Sequence, residues 1–350
     1  MNCDPAELAS LSRCYCLGGH WRRAWIYSLC QWANNLTPPA VTKFTFAPAS
    51  EIVSWTSAAF PGGTTGNLAA ISLDDPTTIT DVDFLSNGVT SISGVGFLTG
   101  LVNFTCNNCA SLVSIEGNTL TTIGGQFNCQ DSADLATIDF PLLQFSIGNF
   151  YAVNCPSLTA VDLPSLSFVG GNISFDNSLN IVTLNFPLLT TINFTFSCTG
   201  CAALTTLNLP LLGTIGANFT PQACVLLTTL NLPSLTSIGG FWLSNNCLAM
   251  TTINIPLMTT LGGDFESNNC ANLVNFVCSS WVPTDLTGIG IVGDAVNQVS
   301  IELIMRRCVL AGVSNCIIDL SGGTNFGAAG LSAQGTADVA TLGAQLTINP

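Results

Sequence analysis

The sequence is short of charge, and of positive charge above all. Six Lys and Arg stand against twenty Asp and Glu, and charged residues make up 7 % of the chain, where soluble proteins average roughly 25 %. The basic residues are Arg13, Arg22, Arg23, Lys43, Arg306 and Arg307, so nothing from Phe44 to Met305 is basic. From Asn177 to Gly263 no residue of either sign occurs. A nucleic-acid partner is excluded on this count, because neutralising phosphate takes clustered Lys and Arg. Phosphoryl transfer, which relies on cationic clamps, falls to the same shortage. Long apolar runs are missing too. Thr, Asn, Gly or Pro interrupts each of them well before the ~20 residues of a membrane-spanning helix. A mean hydropathy of +0.52 is equally far from disorder, which goes with low hydrophobicity and high net charge.

Two further absences bear on chemistry and compartment. His20, in a Gly-Gly-His-Trp-Arg-Arg run, is the only histidine, so no Ser/His/Asp or Cys/His set can be assembled inside the regular part of the chain. No catalytic residue and no cofactor is expected. The segment Met1 to Glu7 has no basic stretch leading into an apolar core, the mark of a secretory signal, whereas sixteen cysteines point toward an oxidising compartment. Release inside a virion, or cysteines that are structural and reduced, reconciles the two.

What is present is a repeat. Pro141, Pro164, Pro187, Pro210, Pro233 and Pro256 follow one another at intervals of 23 residues, as Asn208 follows Asn185. Around each Pro the same phrase returns: Leu204-Thr-Thr-Leu207-Asn-Leu209-Pro210-Leu-Leu212, then Ile215-Gly216, Phe219 and Cys224. Phe127, Phe150, Phe196, Phe219, Trp242 and Phe265 form an aromatic column, with Ile173 in the remaining place. Asn118 and Val95 stand at the Pro position of earlier units, and Ile115 and Ile92 at the central aliphatic one. Eight to nine units thus run from about Asn87 to Ser279.

Each unit holds two stretches of alternating polarity, which predict two half-buried strands. In Thr206-Leu-Asn-Leu209 the leucines face inward; in Ile192-Asn-Phe-Thr-Phe-Ser-Cys198 the inward set is Ile192, Phe194, Phe196 and Cys198. Pro210 and its equivalents end the first strand, and pairs such as Gly239-Gly240 bend the chain between strands. One unit cannot bury its own apolar side, so the units stack on a continuous core. The fold class is mostly β.

The phrase Leu-x-x-Leu-x-Leu-Pro-x-Leu-x-x-Ile-Gly-x-x-Phe, followed by Cys-x-x-Leu, resembles the leucine-rich repeat, in particular its BspA-like 23-residue subclass. The resemblance covers a little over half of the chain. It implies a solenoid and a non-catalytic role in adhesion or recognition, as in bacterial and protist surface proteins. Asn and Thr stand here where that family's exposed positions often carry Lys, Glu and Asp. The opening residues, with Arg13-Cys-Tyr-Cys16 and Ser28-Leu-Cys-Gln-Trp-Ala33, also look like the start of predicted phage and environmental bacterial proteins.

Four segments are expected. Residues 1–40 form a helical N-terminal segment: Asp4-Pro5-Ala-Glu7 is a helix start, and Trp21, Trp25, Leu29 and Trp32 share one helical face. That face either docks a partner or caps the stack. Residues 41–86 are an irregular β entry region, 87–279 the solenoid, and 280–350 an α/β C-terminal cap. In the cap, helical spacing runs from Asp294 to Leu310 and from Ala328 to Leu342. Strands are expected at Ile317 to Leu320 and Gln345 to Ile348.

Cys109, Cys155, Cys201, Cys224, Cys247 and Cys270 share one repeat position, with Ser132 and Ser178 in its gaps; Cys106 and Cys198 add CxxC spacing. A column cannot gather four tetrahedral zinc ligands, so a ladder of buried free thiols is expected and no metal site. Cys3, Cys14, Cys16 and Cys30 are better placed to pair. Asp139 and Asp162 are carboxylates on neighbouring rungs of the exposed side. Asp74, Asp75, Asp81 and Asp83 lack the spacing of a calcium loop and read as a solvated acidic loop. Asn35, Asn103, Asn172, Asn193 and Asn218 open Asn-x-Ser/Thr triplets, common by chance in such a composition.

The candidate binding surface is the outward side of the first strand. Thr183, Thr206, Thr229 and Thr252 form one column, and Asn185, Asn208, Asn231 and Asn254 its neighbour. These rows suit a protein or glycan receptor, copies of the same chain in a fibre or phage appendage, or ordered water as in ice-binding solenoids.

Overall fold

The computed structural model describes residues 100–280 without a break, together with 42–52, 54–57, 66–73, 79–83, 91–93, 288–291, 304–306, 317–319, 332–342 and 346–347. The chain coils as a mostly β parallel solenoid, one 23-residue unit per turn. Its strands gather into three sheets of eleven, seven and thirteen strands, here called front, side and back. One turn shows the plan: Thr206–Asn208 lies in the front sheet, Thr214–Ile215 in the side sheet and Phe219–Thr220 in the back sheet.

There are therefore three strands per turn and not two. The side strand is only two residues long, too short for an alternation to announce. The bend at Asn193-Phe194 splits what reads as one alternating stretch and resets its parity. Ile192, Phe196 and Cys198 are buried, but Phe194 stands 55 % exposed, a correction to its inward placement.

Each strand pairs in parallel with its equivalents in the turns before and after, so identical positions stack. Thr183 pairs with Thr206, Ile192 with Ile215 and Phe196 with Phe219. The core is a set of columns: Leu184, Leu207 and Leu230 behind the front sheet, Ile192, Ile215 and Ile238 behind the side sheet, and the aromatic column behind the back sheet, all buried. Phe104 opens that column, its ring stacked on Phe127 at 5.3 Å between centroids. The corner from back to front sheet carries a left-handed residue in each turn: Asn108, Asp131, Asn154, Asn177, Gly200, Ala223, Asn246 and Asn269 all have positive φ. Asn and Gly tolerate that conformation best, and Asn also links turns there, with Asn177 Nδ2 donating to Asn154 Oδ1 at 3.1 Å.

Strands flank the regular turns on both sides. Thr42–Ile52 pairs antiparallel with Gly66–Leu73 and with Ser91–Ser93, while Ile79–Asp83 runs parallel to Asn103–Thr105. Asp81 and Asp83 thus lie on a strand and not in a loop. Gly288–Gly290, Ile317–Asp319 and Leu346–Thr347 continue the back sheet in parallel. Ala333–Leu342 is helical, and its Asp338 accepts a 3.1 Å ion pair from Arg306. The N-terminal helical segment expected over 1–40 lies outside the described residues.

Candidate functional site

The front sheet places the sequence-derived residues side by side. Thr183, Thr206 and Thr229 are exposed and Thr252 half-buried; Asn185, Asn208 and Asn231 are exposed and Asn254 half-buried. The alternation does this: in Thr206-Leu207-Asn208 the outer two project outward and Leu207 fills the core. Asn208 Nδ2 donates to Asn185 Oδ1 at 2.7 Å, and Asn254 Nδ2 to Asn231 Oδ1 at 2.8 Å. Each amide has two N–H donors and two acceptor lone pairs, so these links fix its orientation and leave groups pointing outward. Flanking threonines are held as well, Thr205 Oγ1 bonding Val182 O at 3.2 Å and Thr251 Oγ1 bonding Thr228 O at 3.0 Å.

Toward the N-terminal turns the Asn column becomes acidic. Asn185 pairs with Asp162, Asp162 with Asp139, and Asp139 with Glu116. Sequence reasoning paired the two aspartates and missed Glu116, although it sits 23 residues before Asp139 in the same phase. Desolvation, then Asp162, then Glu116 hold the Asp139 carboxyl above its ordinary 3.8, and its Oδ1 has no hydrogen-bond partner. A carboxyl whose folded pKa is raised binds its proton earlier in the folded chain than in the unfolded one. Its contribution to stability therefore rises as pH falls through the folded value, and is complete below about 3.8. Asp139→Asn should raise the melting temperature at neutral pH and remove part of the gain on mild acidification. Thermal melts between about pH 7 and 4 check this; an Asp139→Asn protein that melts lower at pH 7 would contradict it.

The cysteine column lies opposite, inside the corner between back and front sheets. Cys109, Cys155, Cys201, Cys224, Cys247 and Cys270 are buried thiols. Cys155, Cys201, Cys224, Cys247 and Cys270 each direct Sγ at a carbonyl of the preceding turn, at 3.1 to 3.2 Å. Ser132 and Ser178 make the same bond with Oγ, at 3.0 and 2.8 Å. The position selects a small donor, which is why Ser and Cys exchange there. Burial raises Cys129 and Cys201 above the usual thiol range, and the hydrogen bond shared by Cys247 and Cys270 keeps the proton on Cys247. The same bond lowers Cys270 to about 7, whereas enclosed thiols that keep their proton, such as Cys129, Cys201 and Cys247, are poor nucleophiles and poor ligands. Among the described residues no group of three or more His, Cys, Asp or Glu side chains is arranged to hold a metal ion.

Of the Asn-x-Ser/Thr triplets, Asn103, Asn172 and Asn218 use their side-chain oxygens to accept backbone N–H groups of the next turn, whereas Asn193 is exposed. The Trp21, Trp25 and Trp32 face and Cys3, Cys14, Cys16 and Cys30 lie outside the described residues. No described helix is long and apolar enough to cross a membrane.

Solved structures similar to this chain are leucine-rich-repeat proteins. One, from Bacteroides ovatus ATCC 8483, is 14 % identical with a TM-score of 0.29, over 72 % of this chain and 75 % of that one. The functional domain of InlJ from Listeria monocytogenes, which includes a cysteine ladder, is 12 % identical with a TM-score of 0.17, over 71 % and 74 %. The internalin InlF from Listeria monocytogenes is 12 % identical with a TM-score of 0.19, over 80 % and 89 %. No family model matches the sequence, and no curated protein does.

Proposed function

We propose that this is a non-catalytic adhesion or recognition protein, exposed on a virion or cell surface, that binds a protein or glycan receptor through the front-sheet columns of Thr and Asn. The observation that carries the reading is the register. Thr183, Thr206, Thr229 and Thr252, and Asn185, Asn208, Asn231 and Asn254, project from consecutive turns of one sheet, at the ~4.8 Å spacing of paired strands. Such an array is rigid before binding, so little ordering entropy is lost on contact. Its neutrality suits uncharged hydroxyl- or amide-bearing ligands.

The test is to replace Thr206, Thr229 and Thr252 with Lys and to measure binding of labelled protein to whole bacterial cells and to arrays of neutral glycans. Binding should fall at least about 100-fold, the scale of losing central contacts, with the melting temperature unchanged. Undiminished binding would sink this use of the face. The charge-free run from Asn177 to Gly263 favours a second reading, a structural subunit of a fibre or phage appendage, because uncharged faces repel their copies little. Filaments in negative stain that disappear in the same lysine variant would select it. Ice shaping by the wild-type protein, lost in that variant, would select the ice-binding reading.

A further inference from the structure

The side sheet keeps a strict code that one turn inverts. Thr122-Ile123-Gly124, Thr214-Ile215-Gly216, Ser237-Ile238-Gly239 and Thr260-Leu261-Gly262 all set the large aliphatic residue inward. In Phe145-Ser146-Ile147 the order is reversed. Phe145 and Ile147 are 39 % and 48 % exposed, while Ser146 is fully buried and its Oγ has no hydrogen-bond partner. Register does not explain this, since Phe145 pairs with Thr122 and Phe168, and Ser146 with Ile123 and Val169. The strand is in phase with its neighbours, so the inversion belongs to the residues themselves. Leaving a hydroxyl unpaired and two large apolar groups in water destabilises the isolated chain. Departures of this kind from an otherwise consistent pattern concentrate where a protein does something besides fold.

Leu142, also exposed, precedes Phe145 on the corner, and the half-buried Phe168 lies on the next rung. Gly124 and Gly170 occupy the Ile147 position in the neighbouring turns, so Ile147 stands above bare backbone on both sides.

Charge decides what covers this patch. The chain carries a net charge of -14, and two copies meet most easily through a face without charge. The front sheet bears Lys43, Glu51, Glu116, Asp139 and Asp162, and the back sheet Asp81, Asp83, Glu266 and Asp319. The side strands, from Thr122–Ile123 to Thr260–Leu261, bear none. We propose that the side sheet is a homodimer interface, in which two copies lie face to face about a two-fold axis parallel to the stack. Phe145 and Ile147 of one copy then meet their counterparts, as an isologous contact requires. The Thr and Ser column of the other turns extends the contact along a face of roughly 30 Å, from seven strands at ~4.8 Å spacing. Both front sheets stay open, giving a bivalent receptor-binding unit. The dimer does not depend on the front-face reading.

Analytical ultracentrifugation from about 1 to 100 µM tests it, a range that brackets micromolar association. The wild-type chain should sediment as a dimer. The variant Phe145→Thr/Ser146→Ile/Ile147→Gly restores the code of the other turns; it should be monomeric, with association weakened at least about 100-fold, and should melt higher. Ser146→Val alone fills the aliphatic column and leaves the patch, so it should melt higher and remain dimeric. A wild-type chain that stays monomeric throughout, or a restored-code variant that dimerises as well as wild type, overturns the proposal.

Discussion

Replacing Trp242 with Ala should lower the stability of the solenoid by about 3–5 kcal/mol, the range for removing a buried aromatic side chain. Trp242 is the largest fully buried side chain among the described residues. Its ring lies between Phe219, 4.7 Å away by centroid, and Phe265, 5.3 Å away. The indole Nε1 donates to Ser244 Oγ at 2.8 Å, so its one polar atom is satisfied. The cavity left by Ala cannot close, because the spacing of neighbouring turns is held by the parallel ladders of all three sheets. Trp242→Phe should cost much less, since Phe is the usual occupant of the column and only the indole bond is lost. Chemical denaturation of the two variants checks the order; equal midpoints for Trp242→Ala and wild type would contradict the stacked column.

Gly216→Val should be at least as damaging, more than about 3 kcal/mol, for a reason that concerns backbone. A Cβ at Gly216 would sit 1.9 Å from Asn193 O, and one at Gly239 would sit 2.1 Å from Gly216 O. The obstacle is the carbonyl of the preceding turn, which cannot swing aside without breaking the bonds that hold the turns together, such as Gly216 N to Ile192 O at 2.8 Å. Ile147 and Asn193 do occupy this repeat position, each with glycine in both neighbouring turns. Gly216 already follows Asn193, so a second side chain has no such relief. Circular dichroism melts should place Gly216→Val well below Gly213→Ala, whose added Cβ would find its nearest atom at 3.6 Å.

The repeat made the architecture legible before any coordinates. Six prolines and an aromatic column in one phase specify stacking turns, and the Ser132 and Ser178 substitutions identify the cysteine position as one that wants a small donor. The Thr and Asn columns followed from alternation in a three-residue strand. Two-residue strands carry no such signal, so the side sheet stayed hidden and Phe194 was placed inside by carrying parity through a bend. The left-handed corner stayed hidden as well, because Asn154 and Asn177 do not stand out in an Asn-rich chain. Glu116 was legible, since it follows Ile115 in the same phase as Asp139 and Asp162. The inversion at Phe145, Ser146 and Ile147 is visible only once the side strand is known to have one inward position.

The most direct measurement of the central claim compares charge placed on two surfaces of the solenoid. Lys at Thr206, Thr229 and Thr252 modifies the front columns; Lys at the exposed corner residues Leu179, Leu226 and Leu248 adds the same charge elsewhere. Binding to whole cells, measured for both proteins beside wild type, should be lost in the first and kept in the second. Equal loss in both would reduce the effect to net charge, and loss in the second alone would place recognition on the corner and contradict the front-face account.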